Sequence, residues 1–272
     1  MGQATIFADI APLYEGASRD THRVDEVLYG MSVQVISDED GWCYLRTDYG
    51  TEGYTPTSGI GTNIEVANAW RKYPKSVVLA HYIDVQKAPS ADSPRLAAVP
   101  RGGLLVALGE QGYDGWQKVG LPNGTIGYTR TSYLGEVIAD WTLLSEDDMR
   151  WNIVESALAY NGAAYRSGGR TILGMDSVGL AGMAYFLNGI TVPREPYVKQ
   201  GGVLHTIPLE ALAEGDLLYF RNSVGVYMGN DKFIHATETP GYEGVLVNSL
   251  NPQDADYSAD LAEHIVAVAS IF

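Results

Sequence analysis

The segment of this chain best suited to chemistry is a glycine-rich, proline-free loop that runs into an apolar helix. It reads Tyr165-Arg166-Ser167-Gly168-Gly169-Arg170-Thr171-Ile172-Leu173-Gly174-Met175-Asp176-Ser177-Val178-Gly179-Leu180. A small polar residue at such a helix start meets free backbone N–H groups and the positive end of the helix dipole. That setting lowers the pKa of a cysteine and supplies oxyanion donors for acyl transfer. The residue here is Ser177, and a serine hydroxyl needs a base within hydrogen-bond reach before it can attack. An Asp-Ser pair at this place is equally the pattern of an ordinary helix N-cap, and the loop alone leaves both readings open.

Other chemistries find less support. The histidines are His22, His81, His205, His235 and His264, none of them in a His-Glu-x-x-His pair. With a single cysteine there is no thiolate cluster either, so neither a metal nor another cofactor is expected. Gly162, Gly168, Gly169 and Gly174 lack the Gly-Lys-Ser/Thr ending of a phosphate-cradling loop. Eighteen Lys and Arg against 33 Asp and Glu give a formal net charge of −15. That balance argues against nucleic acid and against anionic membranes as partners. No stretch reaches the roughly 18 apolar residues of a membrane span. Met1 to Pro12 has no basic segment followed by an apolar run, so no export signal is visible, which leaves a cytoplasmic protein or an exported one with its signal removed. Cys43 stands in Gly41-Trp42-Cys43-Tyr44-Leu45, a strand-like alternation that predicts a small buried side chain.

The elements around the loop fall into three segments. Two stretches, about 4–60 and 77–134, read as copies of one unit. The first holds Leu28-Tyr29-Gly30-Met31-Ser32-Val33-Gln34-Val35, Gly41-Trp42-Cys43-Tyr44-Leu45 and Gly53-Tyr54-Thr55. The second holds Val99-Pro100-Arg101-Gly102-Gly103-Leu104-Leu105-Val106, Gly115-Trp116-Gln117-Lys118-Val119 and Gly127-Tyr128-Thr129. In both, the tryptophan precedes the glycine of Gly-Tyr-Thr by eleven residues (42 to 53, 116 to 127). Short alternating apolar runs parted by Gly, Asp and Asn predict small antiparallel barrels, with Trp42, Tyr44, Trp116 and Tyr128 in their cores. Asn63 to Tyr73 is a short helix or an irregular linker. Ser145-Glu146-Asp147-Asp148 caps a helix that carries Met149, Ile153 and Leu158 on one face and ends near Asn161-Gly162. A second helix is predicted over 178–187, closed by Asn188-Gly189. Strands follow to Phe272, an α+β pattern.

Four ordered motifs then give a resemblance. The loop is similar to the Tyr-x-Trp-Gly-Gly … Gly-Phe-Asp-Cys-Ser-Gly-Leu of the NlpC-type (p-sixty) cell-wall cysteine peptidases, with Tyr165, Gly168, Gly169, Gly174, Asp176, Gly179 and Leu180 at matching positions. Glu214-Gly215-Asp216-Leu217-Leu218-Tyr219-Phe220 resembles the family's Pro-Gly-Asp-Leu-Leu-Phe-Phe. Ser223-Val224-Gly225-Val226-Tyr227-Met228-Gly229 resembles His-Val-Gly-Ile-Tyr-Leu-Gly, and Phe233-Ile234-His235-Ala236 resembles Phe-Ile-His-Ala. The two N-terminal repeats resemble bacterial SH3 domains. The expected architecture is therefore multidomain: two small all-β SH3-like barrels (1–62 and 77–138, joined by a linker, 63–76) followed by a papain-like α+β domain (139–272).

The same resemblance places the nucleophile at Ser177, the base at Ser223 and the orienting residue at His235, with Val178 and Ser167 as further departures from the family pattern. It also implies a substrate-binding role for Asp176, Tyr165 and Tyr54 at a free amine, and a bacterial source. The implied partner is a peptidoglycan stem peptide or another short peptide. Three readings follow: a degenerate homologue that binds without cutting, a serine-type hydrolase using Ser177 and His235, and an interaction module with a closed groove.

Overall fold

In a computed structural model the protein separates into two compact units, Met1–Val137 and Ile138–Phe272. The structure describes residues 2–109 and 114–272.

The first unit contains two sheets of seven strands. Strands β1 (Gly2–Ile6), β2 (Ile10–Tyr14), β3 (Arg23–Leu28), β4 (Ser32–Glu39), β5 (Trp42–Thr47), β6 (Glu52–Pro56) and β7 (Ile60–Gly61) lie in the spatial order β3-β2-β6-β5-β4-β1-β7. Strands β8 (Ser76–Val78), β9 (Tyr82–Gln86), β10 (Arg95–Pro100), β11 (Leu104–Ala107), β12 (Trp116–Gly120), β13 (Ile126–Arg130) and β14 (Leu134–Glu136) lie in the order β10-β9-β13-β12-β11-β8-β14. Subtracting seven from each label of the second order gives the first, so the sequence repeat is also a repeat of topology. The repeated glycine has a steric cause. A Cβ on Gly53 would stand 2.9 Å from the Leu13 Cβ, and one on Gly127 would stand 2.5 Å from Val85 Cγ1. Each glycine lets the next strand cross closely.

The segment between the sheets is ordered. Residues Ile64–Lys72 form helix α1, capped by Asn63, whose side chain accepts from the Glu65 and Val66 amides. Trp70 is buried, and its indole Nε1 donates to the Gly30 carbonyl at 2.7 Å. Tyr29, from the first repeat, sits in the apolar core of the second with Val78, Val85, Val99 and Leu105. The Leu104 amide donates to the Tyr29 carbonyl at 2.8 Å. Shared burial of this kind binds two barrels into one unit, because a barrel of about 60 residues has little core of its own. Cys43 is fully buried on β5, and burial raises its thiol pKa. Of the four aromatics expected in the cores, only Trp116 is buried, under the Arg130 guanidinium at 4.1 Å from its ring. Trp42, Tyr44 and Tyr128 are half-buried instead, on strand faces that keep one edge in water.

The second unit is α+β. Helix α2 (Glu146–Leu158) is capped by Ser145, whose hydroxyl accepts from the Asp148 amide at 3.2 Å, and three acidic residues fill its first turn. Its buried face is Met149, Ile153, Val154 and Ala157; Leu158, expected on that face, is only half-buried. The steps of four from 149 to 153 to 157 carry the stripe past 158. After the short hairpin β15 (Arg170–Thr171) and β16 (Gly174–Met175) comes α3 (Ser177–Phe186), one residue earlier at each end than the sequence suggests. Strands β17 (His205–Ile207), β18 (Leu217–Tyr219), β19 (Val224–Gly229), β20 (Lys232–Thr237), β21 (Gly244–Ser249) and β22 (Ala267–Ser270) form one antiparallel sheet in the order β17-β22-β18-β19-β20-β21, with α4 (Ala259–Glu263) before the last strand. Helix α3 packs on α2 and on β19 and β20, which brings its first turn to the middle of the sheet. The Glu214-Gly215-Asp216 motif anchors this arrangement. Buried Asp216 accepts from Arg150 of α2 at 2.9 Å and from the Ala213 amide at 2.9 Å, while the Tyr185 hydroxyl of α3 donates to the Gly215 carbonyl at 2.7 Å.

Candidate active site

The glycine-rich loop is shaped to bring backbone against backbone. A Cβ on Gly179 would lie 2.0 Å from the Gly169 carbonyl oxygen, and one on Gly169 would lie 2.3 Å from that of Gly174. Only glycine at both positions allows the first turn of α3 to seat on the loop. Asp176 is the N-cap of α3: its Oδ1 accepts from the Gly179 amide at 2.7 Å. Its Oδ2 accepts from the Gly168 amide at 2.8 Å and also from Arg194 Nη2, an ion pair whose side chains are 16% and 7% exposed. Oδ1 thus has one partner within the chain and Oδ2 has two.

Ser177 follows as the first residue of α3, only 6% exposed. Its Oγ accepts a hydrogen bond from the Val224 amide at 3.3 Å, so the start of β19 passes directly over the helix start. Ser223 precedes that amide and is half-buried. His235 on β20 is opposite Gly225 of β19, and Ser223 lies two residues before Gly225; alternation therefore places Ser223 and His235 on the same face of the sheet. Tyr165, Ser177, Ser223 and His235 line one cavity of about 780 Å³, together with Asn248 and Glu238. Asp176 is not on its wall. Tyr54 lies in the first unit, on β6, with its ring 4.6 Å from that of Tyr44.

Asn248 belongs to no motif and is not legible as a site residue in the sequence. It sits on β21 opposite Phe233, diagonal to His235, and its Oδ1 is 2.9 Å from His235 Nε2. Its Nδ2 donates to the Asp256 carbonyl at 2.8 Å, which fixes the amide so that the acceptor oxygen faces the ring. His235 Nε2 must then carry the proton, leaving the lone pair on Nδ1. Burial depresses the pKa of His235 below 6.5, partly offset by the bond to Asn248, so the ring is neutral at pH 7. Among the described residues no hydrogen bond joins Ser177 to His235. The Tyr165 phenol is raised by burial first and by the charges of Glu238 and Asp176 next.

His205 is exposed on the edge strand β17 and does not line the cavity. Among the described residues no group of three or more His, Cys, Asp or Glu is arranged to hold a metal, and no helix is long and apolar enough to cross a membrane.

Known proteins resemble the chain in the same order of parts. The bacterial SH3 domain family matches residues 11–60 and 83–135, and the NlpC/P60 family matches residues 162–258. The dipeptidyl-peptidase 6 of Lysinibacillus sphaericus is 35% identical over 272 residues, covering 99% of both chains. This chain belongs to the NlpC/P60 family. The murein DD-endopeptidase MepS/murein LD-carboxypeptidase of Escherichia coli K12 is 30% identical over 115 residues, 40% of this chain and 59% of that protein. The crystal structure of an NlpC/P60 family protein from Bacillus cereus ATCC 10987 superposes with a TM-score of 0.79 over 98% of each chain, at 19% identity. At that identity the likeness is one of fold: two SH3-like β domains followed by the NlpC/P60 α+β domain.

Proposed function

We propose that this chain is a catalytically degenerate NlpC/P60 protein, one that holds a peptidoglycan stem peptide, or another short peptide with a free amine, without cleaving it. Ser177 stands in for the family's cysteine and Ser223 for its histidine in this reading. The observation that carries it is that, among the described residues, no base is hydrogen-bonded to Ser177. Its Oγ receives the Val224 amide, its neighbour Ser223 has no group that titrates near pH 7, and His235 gives its Nε2 proton to Asn248 while its Nδ1 makes no hydrogen bond to Ser177 among the described residues. A thiolate–imidazolium pair forms because both pKa values lie near neutrality; a serine hydroxyl beside a second serine has no such partner. Without nucleophile activation, binding and oxyanion contacts alone leave a rate about 10³–10⁴ over water.

Retention of a binding role is supported by the cavity itself. Met175 and Met183, which could have filled the old groove, are fully buried in the core, and Val178 does not line the cavity either. That favours a ligand site over a closed interaction module. The 35% identity to a dipeptidyl-peptidase over the full length, and the murein peptidase among the relatives, point to cell-wall peptides as the ligand class. The experiment is calorimetry with L-Ala-γ-D-Glu-diaminopimelate, run beside chromatographic detection of cleavage. Binding with no product is the expected result. Turnover that disappears in Ser177→Ala would instead establish a serine hydrolase.

A further inference from the structure

A chain of contacts runs from His235 out of the cavity and ends at a lysine. Asn248, whose Oδ1 is 2.9 Å from His235 Nε2, is held through its Nδ2, which donates to the Asp256 carbonyl at 2.8 Å. The Ser249 amide donates to the same carbonyl at 3.0 Å. Asp256 thus acts by its backbone, and the contact depends on where residues 251–258 lie. That segment contains no helix or strand and meets β21 through a single bridge, Ser249 with Tyr257. Lys232 pins it. As the first residue of β20 it is the register partner of Ser249, and its Nζ is 2.7 Å from Asp254 Oδ2 and 2.6 Å from Asp256 Oδ1. Buried Ser249 adds a bond from its hydroxyl to Asp254 Oδ2 at 2.7 Å. The bonds to Asp254 and Asp256 raise the pKa of the ammonium, and the bond from Lys232, then that from Ser249, lowers the pKa of Asp254. Among the described residues neither carboxylate has another cation within reach. A single exposed ion pair contributes little, whereas one ammonium shared by two carboxylates is a small network on a segment with few other ties.

We infer that Lys232 is a positioning residue for His235, acting through Asp256 and Asn248 and not by contact with the ring. His235 and Asn248 line the cavity, and Lys232 does not. With the Asp256 carbonyl in place, the Asn248 NH2 group is spent on it and the amide oxygen faces the ring. The ring proton then stays on Nε2, and Nδ1 keeps its lone pair. When residues 251–258 move away, Nδ2 loses its acceptor and the amide is free to turn. An NH2 group facing the ring makes Nε2 the acceptor and sends the proton to Nδ1. Lys232 therefore decides whether Nδ1 is an acceptor or a donor for whatever occupies the cavity. The inference goes beyond the peptide-binding reading and does not depend on it, because the tautomer is a property of the ligand-free protein.

Nitrogen-15 NMR of the His235 ring in the full chain at about pH 8, where the imidazole is neutral, reads the tautomer directly. Wild type is expected to hold the Nε2–H form in about tenfold excess or more over the Nδ1–H form. Lys232→Met is expected to bring the two forms within about threefold, and Lys232→Arg, which keeps a cation for both carboxylates, to restore the excess. Hydrogen exchange at the Ser249 amide, measured on the same samples, reports release of the segment and should quicken about tenfold or more in Lys232→Met. Faster Ser249 exchange with an unchanged tautomer ratio would make Lys232 a structural residue only and overturns the inference. Exchange and tautomer both unchanged in Lys232→Met overturn it too, as does a wild-type ring that lacks the Nε2–H excess.

Discussion

Replacing Asp176 by alanine tests whether this residue is structural, and the structure sets the size of the effect. Three interactions are lost; beside the 2.8 Å bond from the Gly168 amide to Oδ2, two set the scale. One is the N-cap of α3, with its 2.7 Å bond from the Gly179 amide, worth about 1 kcal/mol. The other is the charge-assisted contact to Arg194, a side chain only 7% exposed, worth about 1.5–3 kcal/mol. Together they predict a loss of about 2.5–4 kcal/mol in the stability of the loop and first turn of α3. Asp176→Asn keeps an oxygen to cap the helix and should lose only the ionic part. The readout is native-state hydrogen exchange at the Leu180 amide, which donates to the Asp176 carbonyl at 2.9 Å and so reports opening of that turn. A change below about 1 kcal/mol in Asp176→Ala would refute the argument, since it would mean that neither the cap nor the arginine contact holds the loop.

Further outcomes follow from the same geometry. Arg150→Ala removes the cation from buried Asp216 and should destabilise the second unit by about 3–5 kcal/mol, measured by urea unfolding; a loss under about 1 kcal/mol would contradict the anchoring role of the Glu214-Gly215-Asp216 motif. Burial lowers the pKa of His235 in the folded state below its ordinary 6.5, so the unfolded chain binds more protons between the folded pKa and 6.5. The stability contributed by neutral His235 is therefore complete above about pH 6.5 and falls as pH drops through that window. An NMR titration of the ring should give a midpoint below 6.5, and a midpoint above it would refute the burial argument. Gly127→Ala drives a methyl to 2.5 Å from Val85 Cγ1 and 3.0 Å from the Gln86 carbonyl oxygen, and should lower stability by about 1–3 kcal/mol in thermal unfolding. An unchanged Tm would show that the strands can part without loss.

What could be read from the sequence was what local pattern records. The Trp-to-Gly spacing of eleven residues exposed the duplicated barrels because the same strand crossing recurs in each. Asp176 and Ser145 were legible as caps because capping is decided within three residues. Contacts made between distant segments were hidden. Arg194 is eighteen residues from Asp176, and no periodicity links them, so the carboxylate read as free for a ligand. Asn248 reaches His235 only through the register of β20 and β21, which fixes a diagonal pair that single-strand alternation cannot express. Asn63 to Tyr73 left helix and linker open, because its burial comes from only two residues, Ala67 and Trp70, the latter bonded to a carbonyl in the preceding barrel.

The central claim is that the scaffold of a cell-wall peptidase persists while the covalent machinery is missing. Its most direct test is a single-turnover assay of L-Ala-γ-D-Glu-diaminopimelate cleavage, with protein in excess, comparing wild type with Ser177→Cys/Ser223→His. The account predicts no product from wild type and thiol-dependent product from the double variant, at a rate at least about 10²-fold above wild type, as expected when a nucleophile and its general base are restored. Wild-type cleavage as fast as that of the double variant, and abolished by Ser177→Ala, would contradict it.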